Sequence, residues 1–172
     1  QFVDWRDYRK RTEPANAYQD FPYKLPGSLY EATLCFILAM ALRESRDKAM
    51  RGSNLYQPHN TMLIHVSRFT RWQNKTKDLM DDLLETIVAR LAGDPSVRGS
   101  IYEELERTWF KRYEDIVSGI DDLLPRTYSD PYMYPISFDS IKALIPTFVG
   151  DIEVKALNSV TKDKLKYNKL SP

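Results

Sequence analysis

Residues 59–73 read His59-Asn60-Thr61-Met62-Leu63-Ile64-His65-Val66-Ser67-Arg68-Phe69-Thr70-Arg71-Trp72-Gln73. Thr61 to Val66 is a short apolar run that ends on a β-branched residue, the composition of a strand covered on both faces in a parallel sheet. Ser67, Arg68 and Phe69 then turn the chain. Thr70 and Gln73 have the spacing of a capping box, in which the first side chain bonds the third helical N–H and the last reaches back. Whether 61–66 is a strand decides the fold class, because almost everything around it has helical periodicity.

The helix opened by Thr70 carries Leu79, Leu83, Leu84, Ile87, Val88 and Leu91 at steps of three and four, and Gly93 stops it. Upstream, Ser28-Leu29-Tyr30-Glu31 is another capping box. The helix behind it is apolar almost all round from Leu29 to Leu42, which predicts a central position. Its end turns basic with Arg43, Arg46 and Lys48, complementing the negative end of the helix dipole. Downstream, Ser100-Ile101-Tyr102-Glu103 is a third box, followed by the stripe Leu105, Trp109, Ile116 and Ile120. Pro125, Pro131 and Pro135 frame a loop holding Tyr128, Tyr132 and Tyr134, after which Ser137 or Asp139 caps a short helix from Ile141 to Phe148. Asp151 to Asn158 alternates as a strand does.

The expected fold is therefore α/β but predominantly helical. A small parallel strand pair, βαβ-like and right-handed, lies at about 61–66 and 152–157 with helices around it. A polar and aromatic arm, 1–27, precedes a domain at 28–172. That domain divides into a buried helix (28–50), a strand–helix unit (61–92), a helical region (97–148) and a strand (151–158).

The 172 residues are 42% apolar and 28% charged, with a net charge of +1, so no global electrostatic field argues for nucleic acid or membrane. The arm's basic run, Arg6, Arg9, Lys10 and Arg11, interleaves with Trp5 and Tyr8 and reads as a solvated arm or a phosphate and base contact. One cysteine, Cys35, excludes an internal disulfide and favours a reducing compartment, hence a cytoplasmic location. No apolar run reaches the roughly 18 residues of a membrane helix. The chain starts at Gln1 and is expected to be a piece of a larger protein.

Chemistry is sparse. There is no Gly-x-x-x-x-Gly-Lys-Ser/Thr loop and no Gly-x-Gly-x-x-Gly fingerprint to cradle a nucleotide. His59, His65 and Cys35 lack zinc-ligand spacing, so no metal site is expected. Asp81-Asp82, Asp121-Asp122 and the Glu153/Lys155 pair fit helix surfaces and an exposed strand edge better than a magnesium nuclease, and no catalytic residue is assigned. On a strand, Leu63, His65 and Ser67 share one face, which makes His65 structural. Arg68 lies past the strand's carboxyl end, where open α/β sheets collect ligands, beside the unpaired N–H groups of the next helix. Ser67, Arg68, Thr70 and Arg71 thus form a candidate phosphate-backbone contact. Alternatively, Thr70 and Gln73 only cap the helix and Arg68 pairs with a nearby acid.

The segments LPGSLYEA (25–32), HNTMLIHVSRFTRWQ (59–73) and VKALNSVTKDKLKY (154–167) resemble the Z-one (Z1) domain family. Pro26, Ser28, Ala32, His59, Asn60, Met62, His65, Arg68, Phe69, Thr70 and Gln73 fit its pattern, while Thr61 stands where serine is common. His59, Asn60, His65 and Gln73 are motif positions without an assigned role. The family is described as an endonuclease domain of bacterial proteins with superfamily-two helicase motifs, in restriction-modification-like defence clusters. The resemblance implies a parent protein that uses ATP and magnesium, with catalytic ATPase residues outside this chain, and partners among MORC-type ATPases, methylases and nucleases. It also implies that the strand–helix unit opens a motor lobe and that 97–148 is a helical insertion.

The resulting expectation is a domain of an ATP-dependent DNA helicase or endonuclease of a bacterial defence system that contacts the DNA backbone and couples lobes. The alternative is a helical module that docks a partner ATPase or nuclease through Tyr128, Tyr132 and Tyr134.

Overall fold

The structure, a computed structural model, describes residues 22–54, 56–57, 59–65, 69–128, 131–132 and 134–158, with the side chain of Asp121 excepted. The elements in chain order are α1 (Gly27–Met50), α2 (Thr70–Leu91), α3 (Ile101–Arg112), α4 (Glu114–Ser118), α5 (Ile120–Leu123), α6 (Phe138–Lys142) and α7 (Ile145–Phe148). A 3₁₀ turn at Val149–Asp151 follows directly.

The apolar circumference of α1 sets the architecture. Leu34, Ile37, Leu38 and Ala41 are buried on it, and α3, α6 and α7 pack against it. Ile87 and Leu91 of α2 close the same core together with Ile101, Leu105 and Trp109 of α3. The remainder comes from Ile136, Phe138, Ile141, Ile145 and Val149. The helical region after residue 100 therefore supplies much of the core. Trp109 is the largest fully buried side chain, stacked on Tyr113 at 5.6 Å between ring centroids. Tyr102 Oη donates to the carbonyl of Leu91 (3.0 Å), so a side chain of α3 satisfies the last residue of α2.

The helix starts depart from the capping-box reading at two of three sites. The N-cap of α1 is Pro26, in extended geometry, and Ser28 falls inside the first turn. Glu31 does not reach back because Lys111 and Arg112 of α3 engage its carboxylate. The N-cap of α2 is Phe69, also without a side-chain bond, so Thr70 is the first helical residue. At α3 the serine half of the box forms: Ser100 Oγ accepts from the Glu103 N–H (3.3 Å), while the Glu103 carboxylate reaches one residue further back and accepts from Gly99 N–H (2.6 Å). Gly99 has φ +79°, a conformation only glycine enters cheaply.

The expected parallel strand pair is absent. Among the described residues no strand or sheet occurs, and 61–65 and 152–157 run as irregular chain. The β-like patterns have a physical cause of another kind. Along 152–157, Ile152, Val154 and Ala156 turn inward while Glu153, Lys155 and Leu157 are exposed. Along 61–65, Met62 and Ile64 are half-buried while Thr61, Leu63 and His65 face outward. Leu63 is 82% exposed, which excludes a strand covered on both faces. Alternation here records extended chain with one side turned inward, and with the strands goes the βαβ frame that would resemble a motor lobe.

The single stripe Leu105–Trp109–Ile116–Ile120 is broken as well. Helix α3 ends at Arg112, Tyr113 leaves helical geometry (φ −122°), and Ile116 on α4 is exposed. The backbone bonds from Tyr113 N–H to the Trp109 carbonyl and from Val117 N–H to the Tyr113 carbonyl persist (both 2.8 Å). The core face continues through Tyr113 and Val117, and the Tyr113 hydroxyl donates to the Cys35 carbonyl of α1 at 2.8 Å. None of the described helices is long and apolar enough to cross a membrane.

Replacement of Trp109 by alanine is expected to cost about 3–5 kcal/mol in urea unfolding, as for other buried aromatics. Leu63→Ser should change stability by no more than about 0.5 kcal/mol. A loss of about 2 kcal/mol or more at Leu63 would restore the buried strand.

Candidate functional site

The 59–73 block is positioned by a residue far from it in sequence. Arg43, on the polar flank of α1, aims its guanidinium at three acceptors of the 57–60 segment. Nη1 donates to the His59 carbonyl (3.2 Å) and to Asn60 Oδ1 (2.7 Å), and Nη2 donates to the Gln57 carbonyl. A planar fork of donors suits such a set of oxygens, where a lysine would supply a single point charge. Two motif residues thereby receive structural roles: Asn60 through its side chain and His59 through its backbone. The His59 and His65 side chains are exposed.

Ser67 and Arg68 lie outside the described residues, so their part of the candidate contact is not placed. Of the other two, Thr70 is half-buried and Arg71 is exposed, both in the first turn of α2. Gln73, half-buried, sits in the same turn and gives its backbone N–H to the Phe69 carbonyl at 3.1 Å. That turn contains no acidic residue and no side-chain cap. Phe69 precedes it, 50% exposed, with its ring edge-to-face against Trp72 at 5.5 Å.

A second polar cluster joins three helices. Arg90 of α2 donates to Glu104 of α3, to Tyr30 Oη of α1 (3.3 Å) and to the Gly99 carbonyl (3.2 Å). Tyr30 Oη in turn donates to Glu104 Oε2 at 2.5 Å. Burial, joined by the Glu104 carboxylate, pushes the Tyr30 hydroxyl up to about 12. Burial alone would raise Glu104, but hydrogen bonds from Arg90 and Tyr30 outweigh it and hold the carboxyl below its usual range. The cluster is a fully partnered clamp, and sequence periodicity gave no sign of it because its members are 14 to 74 residues apart.

Two of the remaining acidic candidates are engaged in ordinary pairs. Asp81 accepts from Lys77 one helical turn away (2.5 Å), and Glu153 pairs with Lys155 (2.5 Å), which lowers the carboxyl's pKa. Cys35 is half-buried, its thiol pushed up first by that burial and then by Glu31. No group of three or more His, Cys, Asp or Glu among the described residues is arranged to hold a metal ion. Within the tyrosine-rich loop, Tyr128 is exposed and Tyr132 half-buried. Tyr134 folds back on the end of α1, where its hydroxyl donates to the Ser45 carbonyl (3.4 Å) and Arg46 lies over its ring (5.5 Å). An open groove of about 640 Å³ runs beside it, lined by Asp47, Lys48, Arg51, Ile136, Ser140 and Leu144 among others.

Two outcomes are expected. With Arg43→Ala, backbone amides at 59–65 should exchange hydrogen faster while α1 stays protected, and unchanged exchange would contradict the tether. Glu104, whose folded pKa is depressed, contributes stability that is present above the ordinary glutamate range and is lost as pH falls through its lowered folded value. Acid titration of urea stability should therefore show a downward slope below about pH 4.5 that flattens in Glu104→Gln.

The model of one family, the Z1 domain, matches residues 28–172. Comparison with curated proteins and with solved structures found no match.

Proposed function

Because the chain belongs to the Z1 domain family, we propose that it is a DNA-contacting, non-catalytic domain of an ATP-dependent helicase-like or endonuclease protein of a bacterial defence system. ATP and magnesium then act in the parent protein, with MORC-type ATPases, methylases or nucleases as its neighbours.

The observation that carries the DNA contact is the start of α2. A helix N-terminus bears partial positive charge and unpaired N–H groups, so sequences usually place acids and a capping side chain there. Helix α3 does so, with Ser100 as cap and Glu103 and Glu104 in its first turn. Helix α2 has neither, and adds Arg71 to the same turn. A phosphate placed there relieves that electrostatic mismatch, and Thr70 adds a hydroxyl donor. Ser67 and Arg68, adjoining in sequence, extend the basic character.

Backbone contact of this kind is blind to sequence and sensitive to salt. The binding constant of the chain for duplex and single-stranded DNA should fall with rising salt. Arg71→Ala should weaken binding to all sequences and make the log–log salt slope shallower by about 1. Absence of binding to any DNA at low salt would remove this reading.

A second reading, a module that docks a partner ATPase or nuclease, draws on the exposed Tyr128 and on Ile116 and Leu123, exposed on α4 and α5.

A further inference from the structure

Phe69 has more exposure than its chemistry favours. It is one of several large apolar side chains left open on the surface, with 50% of its area in solvent. Its ring is held from one edge by Trp72 in a T-shaped contact, with the planes at 60°. The residue occupies the N-cap of α2 in extended geometry (φ −86°, ψ 117°), so its position is fixed by the helix that follows. Both Trp72 and Gln73 donate their N–H groups to the Phe69 carbonyl, at 3.0 and 3.1 Å. A rigid aromatic ring at the end of a helix is a platform, and what can use it depends on its surroundings.

The first turns of the helix that follows it are cationic. Arg71 and Lys75, one turn apart on α2, are both exposed, and no acid stands in the helix before Asp78. The exposed Phe110 on α3 stands in a mixed field instead, with Glu103 and Glu106 before it and Arg107 and Lys111 beside it. An open ring with phosphate-attracting charge beside it is the pairing by which proteins hold unpaired bases, the base on the ring and the backbone on the cations.

We infer that Phe69 is a stacking platform for an unpaired base, so that the DNA contact proposed above selects single-stranded nucleic acid. The inference rests on that contact and specifies its substrate. Arg71 and Lys75 hold the phosphates that flank the stacked base, and Trp72 holds the ring in place.

The test is titration of the purified chain with a fluorescent oligo-thymidine, an abasic strand of equal length and a duplex, at low salt. Phe69→Ala should weaken oligo-thymidine binding roughly tenfold. It should leave binding to the abasic strand and the duplex unchanged. Phe69→Trp should retain wild-type affinity. Phe69→Leu keeps an apolar contact to Trp72 without a ring face and should weaken binding as alanine does, which separates stacking from simple support of the helix start. Equal oligo-thymidine affinity for wild type and Phe69→Ala, with a loss in Arg71→Ala, would overturn stacking and leave the backbone contact standing. Equal losses by Phe69→Ala on all three ligands would also overturn stacking, since only a base can stack. If the wild-type chain binds none of them, both readings fall and the ring is left to a protein partner.

Discussion

One constraint governs this fold: the long apolar helix α1 must be covered. Its face of Thr33, Leu34, Ile37, Leu38 and Ala41 is buried by α3, α6 and α7, with the last turns of α2 closing the core, while Cys35, Phe36 and Met40 stay half-buried. Burial at about 25 cal/mol per Å² of apolar surface makes such a helix the dominant stabilising element of a chain this size. The polar bonds are arranged around that burial. Tyr30, Glu31 and Arg43 each leave α1 toward a different neighbour: Tyr30 to Arg90 and Glu104, Glu31 to the end of α3, and Arg43 to the 57–60 segment.

Legibility followed length. The periodicity of α1, α2 and α3 was readable because each presents several turns to one core. The bounds of α1 and α2 lie close to the reading, while the stripe read to Ile120 overran the end of α3 at Arg112. The cap at Ser100 was readable because the bond from the Glu103 N–H to its hydroxyl is local. At Ser28 and Thr70 the same spacing misled. Pro26 already imposes extended geometry before α1, and Glu31 is engaged by Arg112 and Lys111.

The strands failed for a different reason. Alternation of exposed and buried residues requires only an extended chain with one side against something. At 152–157 Ile152 packs against the helical core, and at 61–65 Met62 and Ile64 are half-buried, so the period of two is kept without a ladder among the described residues. A run of five or six residues holds no information about which of these covers it. The stripe through Ile116 failed because the core face passes from Trp109 through Tyr113 and Val117 instead, where Tyr113 bonds the Cys35 carbonyl 78 residues away.

The candidate site was legible in composition but not in geometry. Thr70 and Arg71 do stand at the start of a long helix, as their spacing indicated. The reason for placing them beside the end of a strand has gone, and the mismatch between Arg71 and the helix dipole takes its place. What sequence could not offer is Arg43 as the partner of Asn60, since nothing local marks an arginine one loop away. The account stands most directly on a helical domain without a sheet among its described residues. Nuclear Overhauser contacts between backbone protons test it. The account predicts contacts from 152–157 to helical side chains and none that pair 152–157 with 61–65 across a ladder. A regular set of backbone contacts between those two segments would contradict it.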